Sequence, residues 1–126
     1  MARLRDWLMQ LFLSPLILLL LAGPVWAEEF IATGYDTCLA CCGKTDGITA
    51  SGRKATPGRT VAVNWLPFGT PIWINGTQYI VEDRGAISHF GSKKNRKKRV
   101  DICFATHQEA LEFGRRKVNV VYSYLQ

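Results

Sequence analysis

The sequence of 126 residues contains no internal repeat and no low-complexity segment, and it has few acidic side chains. Ten aspartates and glutamates stand against 16 lysines and arginines, which gives a formal net charge of +6 at pH 7. An uninterrupted apolar run of the ~20 residues that a membrane-spanning helix needs is also missing. Ser14, Pro15 and Pro24 interrupt the long apolar segment that begins near Leu8. These absences exclude a repeat architecture and argue against a membrane anchor.

The N-terminal segment has instead the order of features that is typical of a signal peptide. Arg3 and Arg5 give it a positive start, an apolar run through residues 16–22 follows, and Val25 and Ala27 supply the small side chains of a cleavage site. No cysteine lies directly after the apolar run, which argues against a lipid-anchored exit. We therefore expect residues 1–27 to be a signal peptide, with residues 28–126 exported to the periplasm or the cell-wall space.

Cleavage after Ala27 would leave one small basic domain of 99 residues, too short for a second hydrophobic core. Arg3, Arg5 and Asp6 would be lost, so that 14 of the 16 basic and 9 of the 10 acidic residues remain, a net charge of +5. A basic exported protein suits a polyanionic partner such as a cell-wall polymer or a membrane face. Nucleic acid is not expected as a partner, because export separates the protein from it.

All four cysteines lie in the expected mature chain, at Cys38, Cys41, Cys42 and Cys103. An even number in an oxidising compartment favours disulfides. Cys41 and Cys42 are adjacent and are not expected to pair with each other, so one of the first three cysteines would bond to Cys103. A four-cysteine zinc site is the rival interpretation, because Cys-x-x-Cys is a common half-site. Since the second such half-site is missing, we predict disulfides and no metal.

Short apolar runs separated by glycine and proline predict a mainly β domain with six strands and one short helix. The strands are expected at residues 30–35, 60–64, 71–74, 78–82, 100–104 and 118–124. Asn75-Gly76 predicts a hairpin turn between the third and fourth strands. Thr106 and Glu109 form a capping box that predicts the start of the helix, and Gly114 predicts its end. Strands at such close spacing favour a small barrel, because closure removes exposed edges.

Residues 89–99 concentrate positive charge in one segment of the chain. The basic residues of this segment are Lys93, Lys94, Arg96, Lys97, Lys98 and Arg99. A block of like charge repels itself and is usually a mobile, solvated loop. The alternative interpretation is a binding surface, at residues 93–99, for an anionic wall or membrane polymer.

Asp101 interrupts the apolar strand expected at residues 100–104. Side chains alternate along a strand, so Asp101 and Cys103 should face away from Val100, Ile102 and Phe104. A carboxylate in a strand needs a partner or a cleft. Apolar neighbours would raise its pKa, as a general acid requires. The alternative is a structural aspartate that caps a loop or pairs with an arginine.

Six blocks in order resemble the 3D domain, a family named for three aspartates. The blocks are ITASG (48–52), PGRTVAVN (57–64), LPFGTPIWI (66–74), YIVEDRGAI (79–87), RVDICF (99–104) and EALEFGRRKVNV (109–120). The family also forms the catalytic barrel of the membrane-bound lytic murein transglycosylase A group, and the Cys-x-x-Cys-Cys-Gly start is similar to a secreted bacterial branch. The resemblance covers about residues 31–124 and implies a double-psi β-barrel.

The resemblance implies a lytic transglycosylase that cleaves the bond between N-acetylmuramic acid and N-acetylglucosamine in peptidoglycan and leaves 1,6-anhydro ends. It assigns Asp101 as the catalytic acid and Asp83 as its neighbour in the cleft, and it requires no metal or organic cofactor. Asn64 stands where the family has its first aspartate, so a hydrogen-bonding group is kept and a charge is lost. The expected substrate-binding residues are Asn64, Thr49, Ser51 and Gly85.

Two other functions suit the same barrel: a non-catalytic wall-binding module and an expansin-like wall-loosening module. Asn64 favours a binding module, whereas Asp83 and Asp101 together favour an enzyme. The aromatic candidates for a sugar platform are Tyr35, Trp65, Phe68 and Trp73. The two histidines, His89 and His107, receive no role from the sequence.

Overall fold

The computed structural model describes residues 24–38 and 46–123. The strands are β1 (Val25–Tyr35), β2 (Thr60–Ala62), β3 (Pro71–Ile74), β4 (Thr77–Asp83), β5 (Arg99–Cys103) and β6 (Arg116–Ser123). The helices are α1 (Ile87–Phe90) and α2 (His107–Phe113). The six strands close into a barrel in the order β1-β5-β2-β4-β3-β6. The predicted mainly β barrel of six strands is confirmed, and the prediction of a single helix is wrong.

The barrel mixes parallel and antiparallel strand pairs, and this mixture fixes the surroundings of Asp101. β5 runs parallel to β1, with Thr33 opposite Asp101. On its other side β5 runs antiparallel to β2, with Ala62 opposite Asp101. β2 in turn runs parallel to β4, which ends at Asp83. The two aspartates that the sequence singles out are therefore carried by β4 and β5, which both pair with β2.

The hairpin between β3 and β4 turns at the predicted residues. Asn75 and Gly76 have φ angles of 48° and 85°. Positive φ at both central residues is typical of the type I′ turn, whose twist matches that of the flanking strands. Asn75 also accepts a hydrogen bond on its side-chain oxygen from the backbone N–H of Asn119, at 2.9 Å. This contact ties the turn to β6.

The core follows the alternation of the strands. Val100 and Ile102 lie in the main apolar cluster, where the rings of Phe30, Trp65 and Tyr122 also meet. Cys103 faces the other way and packs with Tyr35 and Ala55 in a second, smaller cluster. Asp101 shares the face of Cys103 and lines a cavity. The predicted orientation of the β5 side chains is therefore confirmed.

Helix α2 begins at the predicted cap and packs closely on the barrel. The side-chain oxygen of Thr106 accepts a hydrogen bond from the backbone N–H of Glu109 at 3.1 Å. Gly34 in β1 allows the close approach, since a Cβ there would lie 3.2 Å from the Cα of Ala110 and 2.7 Å from the ring of Phe104. A side chain at position 34 would push α2 away from the end of β1.

Helix α1 is the element that the sequence analysis missed. It has four residues, and its N-cap residue, Ala86, makes no side-chain cap hydrogen bond. Its buried residue, Phe90, packs against Gly85, where a Cβ would overlap the Phe90 ring. One turn of helix shows no apolar periodicity, so its formation depends on this tertiary contact.

The start of β1 overlaps the expected signal peptide. Val25 and Trp26 pair with Ser123 and Tyr122 of β6, and both side chains are exposed. Cleavage after Ala27 would shorten β1 by its first three residues. Residues 1–23 of the expected signal peptide lie outside the described residues. Within residues 24–38 and 46–123, no helix has the length and apolar character that membrane crossing requires.

The basic segment at residues 89–99 folds back on the barrel. Its backbone forms a bridge between Gly91 and Arg96. The Lys97 carbonyl accepts a hydrogen bond from the Trp65 indole at 2.9 Å, and the Lys97 ammonium donates to the Ser88 carbonyl at 2.7 Å. Lys93, Lys94 and Arg96 are exposed. Lys97 therefore helps to hold the turn, the Arg96 guanidinium lies 5.3 Å from the centre of the Trp65 ring, and Lys93 and Lys94 face solvent.

Candidate functional site

Asp83 and Asp101 line the same open cavity, whose volume is about 480 Å³. The end of β1, the loop at residues 47–55, the ends of β2 and β4, the middle of β5, and α1 form its walls. Its volume lies in the range of about 300–1,000 Å³ that is usual for small-ligand sites. The structure thus brings together the two carboxyl groups that the sequence nominated, although they are 18 residues apart in the chain.

Burial of Asp101 changes its protonation. Desolvation raises the pKa of this carboxyl to about 6, and the negative charge of Asp83 adds to the increase. A hydrogen bond from the Thr33 hydroxyl, at 2.9 Å, and the charge of Arg99 act in the opposite direction. Desolvation is the largest of these effects, so Asp101 can hold a proton far above the pH at which an ordinary aspartate loses it.

Asp83 is held by three donors from three parts of the chain. One carboxylate oxygen accepts a hydrogen bond from the Tyr35 hydroxyl at 2.9 Å. The other accepts from the backbone N–H groups of Ala50, at 3.0 Å, and Arg84, at 2.8 Å. Burial, followed by the charge of Asp83, raises the pKa of Tyr35, so its hydroxyl remains a donor. Asp83 is therefore fixed in position as an acceptor.

The ITASG loop lies against the cavity through its backbone and one hydroxyl. Thr49 is buried and lines the cavity, and its hydroxyl lies 2.9 Å from that of Ser51 and donates to the Arg53 carbonyl at 2.8 Å. Ser51 is not among the lining residues. The loop supplies the Ala50 N–H that holds Asp83. Of the two predicted hydroxyl contacts, only Thr49 lies at the cavity wall.

Asn64 is buried behind the cavity rather than at its wall. Its side-chain N–H₂ group donates to the carbonyls of Gly85, at 2.9 Å, and Gly91, at 2.8 Å. Its side-chain oxygen accepts from the Gly85 N–H at 2.8 Å. Gly85 lines the cavity, so both of its backbone polar groups are fixed by Asn64. Asn64 is a positioning residue for the turn after Asp83.

Arg84 is a cavity residue that the sequence analysis did not select. Its guanidinium donates to the Val63 carbonyl at 2.7 Å and lies 3.9 Å from the centre of the Phe68 ring. Burial lowers the pKa of Arg84, and the charge of Asp83 opposes this effect. The feature of the sequence that could have identified Arg84 as a cavity residue is its position directly after Asp83. The positive charge of Arg84 interacts with the negative charge of Asp83.

The four aromatic candidates for a sugar platform occupy different places. Tyr35 lines the cavity, where its hydroxyl holds Asp83. Trp65 belongs to the core, while Phe68 and Trp73 are exposed and do not line the cavity. Phe90, which was not a candidate, contributes a second aromatic ring to the wall.

The cysteines divide between the described and undescribed parts of the chain. Cys38 and Cys103 are described and are not bonded to each other. Cys41 and Cys42 lie outside the described residues, so the predicted pairing of Cys103 with one of them stays a prediction. Cys103 is 1% exposed and packs beside Tyr35.

A scan of protein-family models and a search of curated proteins found no match to this chain. The site itself therefore indicates the function. That site combines a carboxyl group that holds a proton, a fixed carboxylate and a guanidinium around an open cavity. Such a set can protonate a leaving group and stabilise positive charge that develops next to it.

Replacing Asn64 with aspartate should destabilise the fold. In Asn64→Asp a carboxylate oxygen replaces the N–H₂ group and faces the carbonyls of Gly85 and Gly91. The two carbonyls, that of Gly91 buried and that of Gly85 partly buried, would lose their donor, so we expect the free energy of unfolding to fall by about 1–3 kcal/mol. Urea denaturation at pH 7 measures this change. Asn95→Asp is the matched control at an exposed position, and equal losses in the two variants would contradict the assigned role of Asn64.

The raised pKa of Asp101 should make stability depend on pH. An ordinary aspartate releases its proton near 3.8, and folded Asp101 holds it up to about 6, so the folded state binds more protons in this window. The free energy of unfolding therefore falls as the pH rises through the window. Asp101→Asn retains an acceptor for Thr33 and has no proton to lose. Urea denaturation of both proteins should show the wild type losing stability relative to the variant as the pH rises, and a constant difference would contradict this account.

Proposed function

We propose that the protein is an exported lytic transglycosylase of peptidoglycan, with a double-psi barrel of the 3D type. The observation that supports this most is Asp101, which lines an open cavity and whose pKa is raised to about 6. A glycosidic bond needs an acid that still carries its proton near neutral pH, and burial provides one here. The six sequence blocks that resemble the 3D domain support the same proposal.

In the proposed reaction, protonated Asp101 donates its proton to the oxygen between N-acetylmuramic acid and N-acetylglucosamine. The bond from the anomeric carbon to that oxygen breaks, and positive charge develops on the muramic acid ring. The 6-hydroxyl of the same sugar attacks the anomeric carbon, and its proton passes to the Asp101 carboxylate. Asp101 is thereby restored, no water is consumed, and the product carries a 1,6-anhydro ring.

The other cavity residues have supporting roles in this proposal. Asp83 is held by Tyr35 and by the Ala50 N–H with its carboxylate fixed, so its negative charge is available to the developing oxocarbenium ion. Thr49 and Gly85 lie where the sugar would contact the wall. Asn64 acts through Gly85 and does not need a charge for this role.

The exposed basic residues suit an exported protein that works on an anionic surface. Lys93 and Lys94 are exposed on the turn that closes on Trp65. We propose that they attract the protein to anionic wall or membrane polymers, an interaction that salt should weaken. The alternative function, a non-catalytic or expansin-like wall-binding module, is favoured by one observation, the uncharged Asn64 in place of the family's first aspartate.

The activity is tested by incubating the exported protein with purified peptidoglycan and analysing the fragments by mass spectrometry. We expect muropeptides with 1,6-anhydro ends from the wild type. Asp101→Asn should reduce their rate of formation by at least about 100-fold, because it removes the general acid. Glu112→Gln makes the same carboxylate-to-amide change on the exposed side of α2 and should leave the rate unchanged.

Two results would contradict the proposed activity. Fragments with ordinary reducing ends would indicate a hydrolase that uses water. Binding of the protein to the wall without fragments would indicate a binding module.

A further inference from the structure

Asp36, Cys38 and His107 form a cluster of metal-ligating side chains outside the cavity. Asp36 and Cys38 follow β1, and His107 is the first residue of α2. The Nδ1 atom of His107 lies 3.4 Å from a carboxylate oxygen of Asp36 and 3.7 Å from the sulfur of Cys38. We propose that this cluster, the Asp36–Cys38–His107 cluster, binds a zinc ion.

Two of the three separations between the donor atoms match those around a tetrahedral zinc ion. Zinc lies about 2.0–2.1 Å from nitrogen, about 2.3 Å from sulfur and about 2.0–2.2 Å from oxygen, so tetrahedral angles place nitrogen about 3.4 Å from oxygen and about 3.6 Å from sulfur. The structure has 3.4 Å and 3.7 Å for the same two pairs. The third pair, the oxygen of Asp36 and the sulfur of Cys38, lies within 4.8 Å. One ion can therefore contact all three donor atoms once the side chains adjust around it.

The contacts of His107 argue against a cysteine nucleophile activated by a histidine and an aspartate. Such a relay uses both ring nitrogens, one towards the nucleophile and the other towards the carboxylate. Here Asp36 and Cys38 both approach the same atom, Nδ1 of His107. One ring nitrogen cannot serve both steps of a relay, whereas three donor atoms that converge on one point are the arrangement of a metal site.

The exposure of the cluster leaves room for a fourth ligand. Asp36 is only 7% exposed, and its carboxylate oxygen is held beside Nδ1 of His107. The side chain of His107 is 50% exposed, so one side of the cluster is open to solvent. A zinc ion with these three ligands would complete its tetrahedron with a water molecule on that side.

The fold brings these residues together through the pairing of β1 with β5. Tyr35 pairs with Cys103, so the chain leaves the two strands at the same end, and α2 begins four residues after Cys103. Gly34 allows α2 to lie close to β1 at this end. The zinc ion would join the two segments directly after the point where they separate.

The position next to the cavity suggests what the ion does. Asp36 directly follows Tyr35, whose hydroxyl holds Asp83. Zinc would fix the chain at this point and stabilise the folded state, because the unfolded chain does not present the three ligands together. This role does not depend on the proposed enzymatic activity, and the cluster contributes no residue to the cavity wall.

The test uses the exported protein, stripped of metal with a chelator under reducing conditions and titrated with Zn²⁺ against a chromophoric competitor. We expect one equivalent to bind. His107→Gln and Asp36→Asn should each weaken binding by more than about 100-fold, since even the loss of a residue that only supports a ligand costs 10–100-fold. His89→Gln and Asp46→Asn, at exposed positions, are the matched controls and should bind as the wild type does.

A second measurement identifies the sulfur ligand. With Co²⁺ in place of Zn²⁺, the wild type should show a thiolate-to-cobalt charge-transfer band, and Cys38→Ser should lose it. Circular dichroism of each metal-stripped variant checks that it is folded. If Asp36→Asn does not fold, His107→Gln, at the exposed start of α2, decides the result.

Three results would overturn the proposal. They are no binding of Zn²⁺ at one equivalent, binding that His107→Gln leaves unchanged, or a disulfide at Cys38 in the exported protein before any treatment. The peptidoglycan assay, run on the stripped protein, reports the proposed activity separately from each of these results.

Discussion

The burial of one carboxyl group, that of Asp101, is the constraint on which the site depends. β5 lies between β1 and β2, and Asp101 faces Thr33 on one neighbour and Ala62 on the other. Of these two partners, only Thr33 donates a side-chain hydrogen bond to the Asp101 carboxyl. Desolvation therefore has the larger effect, and the pKa of Asp101 rises. A closed barrel can hold such a group because its hydrogen-bonded strands and apolar core stabilise the fold elsewhere.

Asp83 has the opposite surroundings although it lines the same cavity. Three donors reach it, from Tyr35 in β1, Ala50 in the ITASG loop and Arg84 beside it. Two carboxyl groups whose environments differ in this way can take different roles, one as a proton donor and the other as a fixed negative charge. The difference between Asp83 and Asp101 does not require a carboxylate at position 64. Asn64 instead holds the backbone of Gly85 through two hydrogen bonds.

The sequence alone was sufficient for features that short segments determine. The Asn75-Gly76 turn, the Thr106 cap and the alternation around Asp101 follow from local rules, and all three are present in the structure. The contacts that define the site were not predictable in this way. The Tyr35–Asp83 hydrogen bond joins residues 48 apart, and the contact between His107 and Asp36 joins residues 71 apart. Such contacts form only when the barrel closes, and local sequence patterns do not predict which distant residues closure brings together.

In this structure, the cavity keeps Asp101 protonated up to about pH 6. Carbon NMR of protein labelled at the aspartate carboxyl carbons tests this directly, with the Asp101 signal assigned by its absence in Asp101→Asn. We expect a titration midpoint near pH 6 for that signal. A midpoint at the ordinary aspartate value, near 3.8, would contradict it.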